Sequence, residues 1–116
     1  MFRFRRGQRR LTPGQARERT GDSSAVLLDV RESPEWKCGH APGAIHLPLS
    51  RLIAGTALPP EVTGRPVVAI CRSGHRSQQA AKLLAERGVA AQDVKGGMTA
   101  WAEEGLPVVD ERGSIA

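Results

Sequence analysis

The chain has 116 residues, room for one small domain rather than two, and about 40% of them are apolar. Aromatic residues contribute only 3% and tyrosine is absent, so a core has to be built from Val, Leu, Ile and Ala, and nothing in the composition suggests a fibrous, collagen-like or globally disordered chain. The formal charge of +5 is concentrated in residues 1–10 (MFRFRRGQRR), which hold five arginines and no acid; the rest is close to neutral and does not read as a basic nucleic-acid binder.

In chain order, the basic run of residues 1–10 reads either as an electrostatic hook for RNA, DNA or an anionic membrane, or as a solvated terminus. No apolar stretch follows it as a secretory signal would require, and no segment approaches the roughly 18 apolar residues of a membrane span. A soluble, cytoplasmic protein is expected. Thr12-Pro13 then marks a helix start before GQARER, with proline at the first helical position. Residues 25–30 (AVLLDV) form a short, nearly continuous apolar run, the pattern of a strand covered on both faces. Ser33-Pro34-Glu35-Trp36 opens a short helix by the same logic as Thr12-Pro13. Residues 44–49 (AIHLPL) read as a weaker strand cut by Pro48, and residues 66–70 (PVVAI) as a second buried strand.

The clearest helix spans about residues 77–87, with Ala80, Ala81, Leu83 and Leu84 on its apolar side and Gly88 as its stop. Residues 91–94 (AQDV) are a fourth candidate strand, and a last helix runs from Met98 to Glu104 before Gly105 and Pro107. Strands alternating with helices imply right-handed crossovers and a mainly parallel sheet, hence an α/β fold. There is no internal repeat and no interdomain linker. The expected division is a basic tail over 1–10, one domain over 11–109 and a C-terminal tail over 110–116.

In an open α/β sheet, ligands gather at the carboxyl ends of strands. The string after the strand at 66–70 is Cys71-Arg72-Ser73-Gly74-His75-Arg76-Ser77, followed by the strongest helix. The thiolate is the nucleophilic form of cysteine, and nearby cations and a helix N-terminus favour it. Arg72, His75 and Arg76 supply the cations. Gly74 permits a tight curl that turns successive backbone N–H groups inward, a cradle for a thiolate, a persulfide or an oxyanion. Ser77 reads as the N-cap of the helix behind. The alternative is an inert core cysteine before an ordinary basic turn, but three cationic side chains are a poor choice for packing.

With these residues in view, the chain resembles the rhodanese-like domain family. CRSGHRS resembles its active-site loop, LLDVRESPEW…GHAPGAIHLPL its upstream stretch, and Lys95-Gly96-Gly97…Trp101…Gly105-Leu106-Pro107-Val108 its C-terminal signature. The resemblance implies a five-stranded, mainly parallel sheet with helices on both faces. It implies a sulfurtransferase that moves sulfane sulfur from a donor such as thiosulfate to a thiophilic acceptor, cyanide or a thiol, through a persulfide on Cys71. No metal or organic cofactor is needed for that chemistry. Positions 71–76 would form the loop around the persulfide. Asp29 and Arg31 would brace neighbouring loops, or form no more than a surface ion pair or turn cap.

His40 would be structural, and His40, His46 and His75 lack the spacing of a metal site. Cys38 is not required by the family and reads as a bystander thiol or as a resolving partner for oxidised Cys71. Two rivals remain: a sulfur carrier or non-catalytic module that docks a partner protein, and a phosphatase or arsenate reductase on the same fold. The phosphatases carry Cys-x5-Arg, whereas Cys71 and Arg76 here make the shorter Cys-x4-Arg.

Overall fold

A computed structural model describes residues 9–110. Its centre is one sheet of five strands, all parallel: β1 (Arg10–Leu11), β2 (Val26–Asp29), β3 (Ile45–His46), β4 (Val67–Ile70) and β5 (Ala91–Val94), in the spatial order β1-β5-β4-β2-β3. The helices are α1 (Pro13–Thr20), α2 (Ser33–Cys38), α3 (Leu49–Ile53), α4 (Arg76–Glu86) and α5 (Gly97–Glu103), with a short 3-10 turn at Pro60–Val62.

The central strands explain their own composition. All four residues of β2 and all four of β4 are buried, because helices cover both faces of the sheet. Side chains alternate between two cores. Val26, Leu28, Val67 and Ala69 pack with Leu52, Ala80 and Leu84 of α3 and α4. Leu27, Val68, Ile70 and Val94 pack with Ala16, Met98 and Trp101 of α1 and α5. Trp101 is 2% exposed and its indole N–H donates to the Pro107 carbonyl at 2.8 Å, so the one large ring in this core is satisfied as well as buried.

Helix α1 starts as its sequence predicts: the Thr12 hydroxyl accepts from the Gln15 amide, and the Gln15 side chain accepts from the Thr12 amide. Three local expectations are corrected. The segment at 44–49 is a strand only at Ile45–His46; Pro48 is extended (φ −55°), and the chain turns into α3, burying Leu49 and Leu52. Ser77 is not the N-cap of α4, because His75 holds that position and the helix begins at Arg76. Arg10, the last residue of the basic run, belongs to edge strand β1 in register with Asp93. The remainder of that run up to residue 8, on which the hook reading rests, and residues 111–116 lie outside the described residues.

The strand order fixes where a site can form. From β2 the chain moves outward to β3, while from β4 it moves to the opposite side, to β5. The connections after these two neighbouring strands therefore diverge, opening a crevice at their carboxyl ends. Cys71 follows β4 and Arg31 follows β2. Among the described residues no helix is long and apolar enough to cross a membrane.

Candidate active site: the Cys71 loop

Cys71 is 1% exposed, and its sulfur is held from the backbone. The Gly74 N–H donates to Sγ at 3.1 Å and the Ser77 N–H at 3.2 Å. Ser77 lies in the first turn of α4, where backbone N–H groups have no intrahelical partner, so the sulfur takes up a donor that the helix leaves free. The cap residue His75 makes no side-chain capping bond, which leaves that position open to the sulfur.

Glycine is required at two points of this geometry. Gly74 has φ +99°, and a Cβ there would approach the Gly96 nitrogen to 2.9 Å. Gly97 has φ +57°, and a Cβ there would collide with the Cys71 carbonyl. That closeness lets the start of α5 clamp the loop: the Met98 N–H donates to the Cys71 carbonyl at 2.7 Å and the Thr99 N–H to the Arg72 carbonyl at 3.0 Å.

The hydroxyl of Ser77 points away from capping duty. It donates to Asp93 Oδ2 at 2.7 Å, and the Cys71 S–H makes only a long contact to its oxygen at 3.5 Å. With its proton given to the carboxylate, that oxygen offers lone pairs to the sulfur. A negatively charged sulfur is therefore bound by the two backbone N–H groups.

The three basic side chains of the loop have separate fates. Arg76 makes a bidentate pair with Glu35 of α2, at 2.7 and 2.8 Å, which holds the Glu35 carboxyl down to about 2 and raises Arg76 further. His75 is exposed and within 3.3 Å of the Ser73 hydroxyl, itself exposed. Arg72 is exposed, and among the described residues its guanidinium has no hydrogen-bond or ion-pair partner, so it is the loop cation available to an incoming anion.

Asp29 and Arg31 are close to the loop in the sheet but do not touch the sulfur. Asp29 is 0% exposed and Arg31 6%, which rules out a surface ion pair. The Arg31 guanidinium binds both Asp29 oxygens at 2.8–3.1 Å and donates to the Gly39 carbonyl at 2.7 Å, tying the end of β2 to the end of α2. The Arg31 carbonyl is in turn held by His46 at 2.7 Å. Trp36 stacks with two imidazoles, His40 at 3.5 Å and His46 at 4.6 Å between ring centroids. Cys38 is exposed and Cys71 buried, and both are free thiols.

Sequence reasoning passed over Asp93, Arg10 and the pairing of Glu35 with Arg76. The available signal was an acid inside a four-residue strand: Asp93 is 2% exposed, so it had to have partners.

Residues 12–104 match the model of the rhodanese-like domain. The chain is 36% identical over 105 residues to the "Adenylyltransferase and sulfurtransferase UBA4" of Yarrowia lipolytica, covering 90% of this chain but 25% of that protein. It is 38% identical over 99 residues to a protein named "Sulfurtransferase" from Allochromatium vinosum, covering 83% of this chain and 90% of the other. Among solved structures, a rhodanese-related protein from Thermoplasma volcanium superposes with a TM-score of 0.73 at 31% identity, covering 87% of this chain and 97% of that one. With the motif order, the all-parallel sheet and the cysteine at its switch point in agreement, the chain belongs to the rhodanese-like domain family.

Proposed function

We propose that the protein is a sulfurtransferase that carries sulfane sulfur as a persulfide on Cys71, with thiosulfate as a competent donor and cyanide or a thiol as acceptor. The observation that carries this reading is the convergence of the Gly74 and Ser77 N–H groups on Sγ at the start of α4. The thiolate of Cys71 attacks the outer sulfur of thiosulfate. A new S–S bond forms, the old one breaks, and sulfite leaves with its electron pair. The acceptor then attacks the outer persulfide sulfur and returns Cys71 as thiolate, for cyanide with release of thiocyanate. Exposed Arg72 offers charge to the dianionic donor, and the cradle to the persulfide anion.

Two features favour this over a phosphatase or arsenate reductase. The Cys-x4-Arg loop is short, and its arginine is already committed to Glu35 rather than free to line an oxyanion pocket. The Yarrowia relative, named both adenylyltransferase and sulfurtransferase, makes a protein acceptor the second reading for this chain. Location in the cytoplasm and the absence of any metal or organic cofactor are part of the same proposal.

Thiocyanate formation from thiosulfate and cyanide tests it. Cys71→Ser should abolish turnover, and Cys38→Ser should retain most of it. Full activity in Cys71→Ser would end the proposal, and equal loss in both variants would make the two thiols a working pair.

A further inference from the structure

We propose that Asp93 and Arg10 are positioning residues for the sulfur cradle, a single buried carboxylate holding both of its N–H donors from behind. The inference deepens the reading of Cys71 as a sulfur carrier and rests on it for its catalytic consequence.

Asp93 reaches the loop by two arms. The first is direct: the Ser77 hydroxyl donates to Oδ2 at 2.7 Å, which anchors the residue whose N–H faces the sulfur. The second passes through Arg10, whose guanidinium takes Oδ1 through Nε at 3.1 Å and Oδ2 through Nη2 at 3.0 Å. The same Nη2 donates to the Gly74 carbonyl at 2.8 Å, where the Gln78 amide adds a second bond at 2.9 Å. Gly74 is the other donor to Sγ, at 3.1 Å, and as a glycine it has wide backbone freedom, so a hold on its carbonyl fixes that orientation. Its carbonyl supplies the handle.

The buried carboxylate is thereby satisfied on both oxygens, which offsets the cost of placing it there. Arg10 is the unusual member. It lies two residues before the matched family span begins at residue 12, on edge strand β1, whose register opposite Asp93 delivers the guanidinium to the loop. A two-residue strand with one buried side chain adds little to the core. Its register gives it a second use.

Amide NMR of the reduced full chain reads the two arms separately. In Arg10→Gln the Gly74 amide proton should move upfield, as its bond to sulfur weakens, by more than the other amides of β4 and α4, while Ser77 stays near its place. Ser77→Ala should leave the Gly74 signal in place, and Asp93→Asn should move both the Gly74 and the Ser77 signals. Arg10→Lys should restore part of the Gly74 shift, since an ammonium keeps the charge but not the planar fork. Sulfur loading from thiosulfate in Arg10→Gln should slow about three- to tenfold, as expected for loss of a partly exposed charged hydrogen bond acting at one remove.

An unmoved Gly74 amide in Arg10→Gln overturns the proposal, as does a uniform shift of every loop amide. Arg10 is one-third exposed, so its variants are expected to fold; they decide the matter even if Asp93→Asn does not. If the wild type itself takes up no sulfur, the function proposed above fails while the amide result still stands or falls alone.

Discussion

Two aspartate–arginine pairs lie at the carboxyl ends of the sheet, and they do different work. Asp29–Arg31 is local, two residues apart, and buried on both sides. It ties β2 to the Gly39 carbonyl and never reaches the sulfur. Asp93–Arg10 spans 83 residues of sequence, has one partner that is about one-third exposed, and ends on Gly74 and Ser77, the two residues that donate to Sγ. The same chemical unit serves architecture in one place and the reactive loop in the other. What differs is whether the arginine's spare N–H groups point at a structural turn or at the loop that cradles the sulfur.

The largest effect on stability should come from the first pair. Asp29→Ala leaves the Arg31 guanidinium buried without its counter-ion, at a cost of about 3–5 kcal/mol. The melting temperature should fall by roughly 12 °C or more in a domain of this size. Sulfur uptake by the fraction still folded, measured well below that midpoint, should remain near the wild-type rate. The comparison breaks if Asp29→Ala melts like the wild type, or if it loses sulfur uptake in step with Arg10→Gln while fully folded.

A smaller effect is expected at the third pair, Arg76–Glu35, which is partly exposed on both sides. Glu35→Gln should cost no more than about 1 kcal/mol, because solvent screens such a pair. Its pH dependence has a definite sign. The Glu35 carboxyl is held down to about 2 from an ordinary 4.5, chiefly by its hydrogen bonds to Arg76. The stabilisation is therefore complete above about 4.5 and is lost as the pH falls toward 2. Wild type and Glu35→Gln should differ in urea midpoint at neutral pH, and the gap should narrow below pH 4.5 and close as the pH approaches 2. A gap that stays constant down to pH 2 would mean that the carboxylate charge plays no part.

Much of the fold was legible because burial on both faces writes itself into β2 and β4 as nearly continuous apolar runs, and because proline marks the start of α1 and Gly88 follows the end of α4. Edge strand β1 was not legible. Its two residues lie at the end of a basic run, and the acid that neutralises Arg10 is distant in sequence. The segment at 44–49 misled because its alternating leucines suit a strand, whereas Leu49 and Leu52 are one helical turn apart in α3. At the site, the position of Cys71 and the curl at Gly74 followed from the local string. The roles within it did not. A serine beside a helix start looks like a cap until its hydroxyl is seen to donate to Asp93, and a loop arginine looks like an activator until Glu35 claims it. Both partners arrive from other elements, and a local pattern carries no trace of them.

Sulfur transfer through Cys71 requires that one sulfur atom be stored in the cradle between Gly74 and Ser77. Intact mass spectrometry of the Cys38→Ser protein after incubation with thiosulfate, followed by peptide mapping, measures this directly. The predicted result is a gain of a single sulfur atom on the peptide containing Cys71, removed completely by cyanide. No mass gain, or a gain that persists after cyanide, would contradict it.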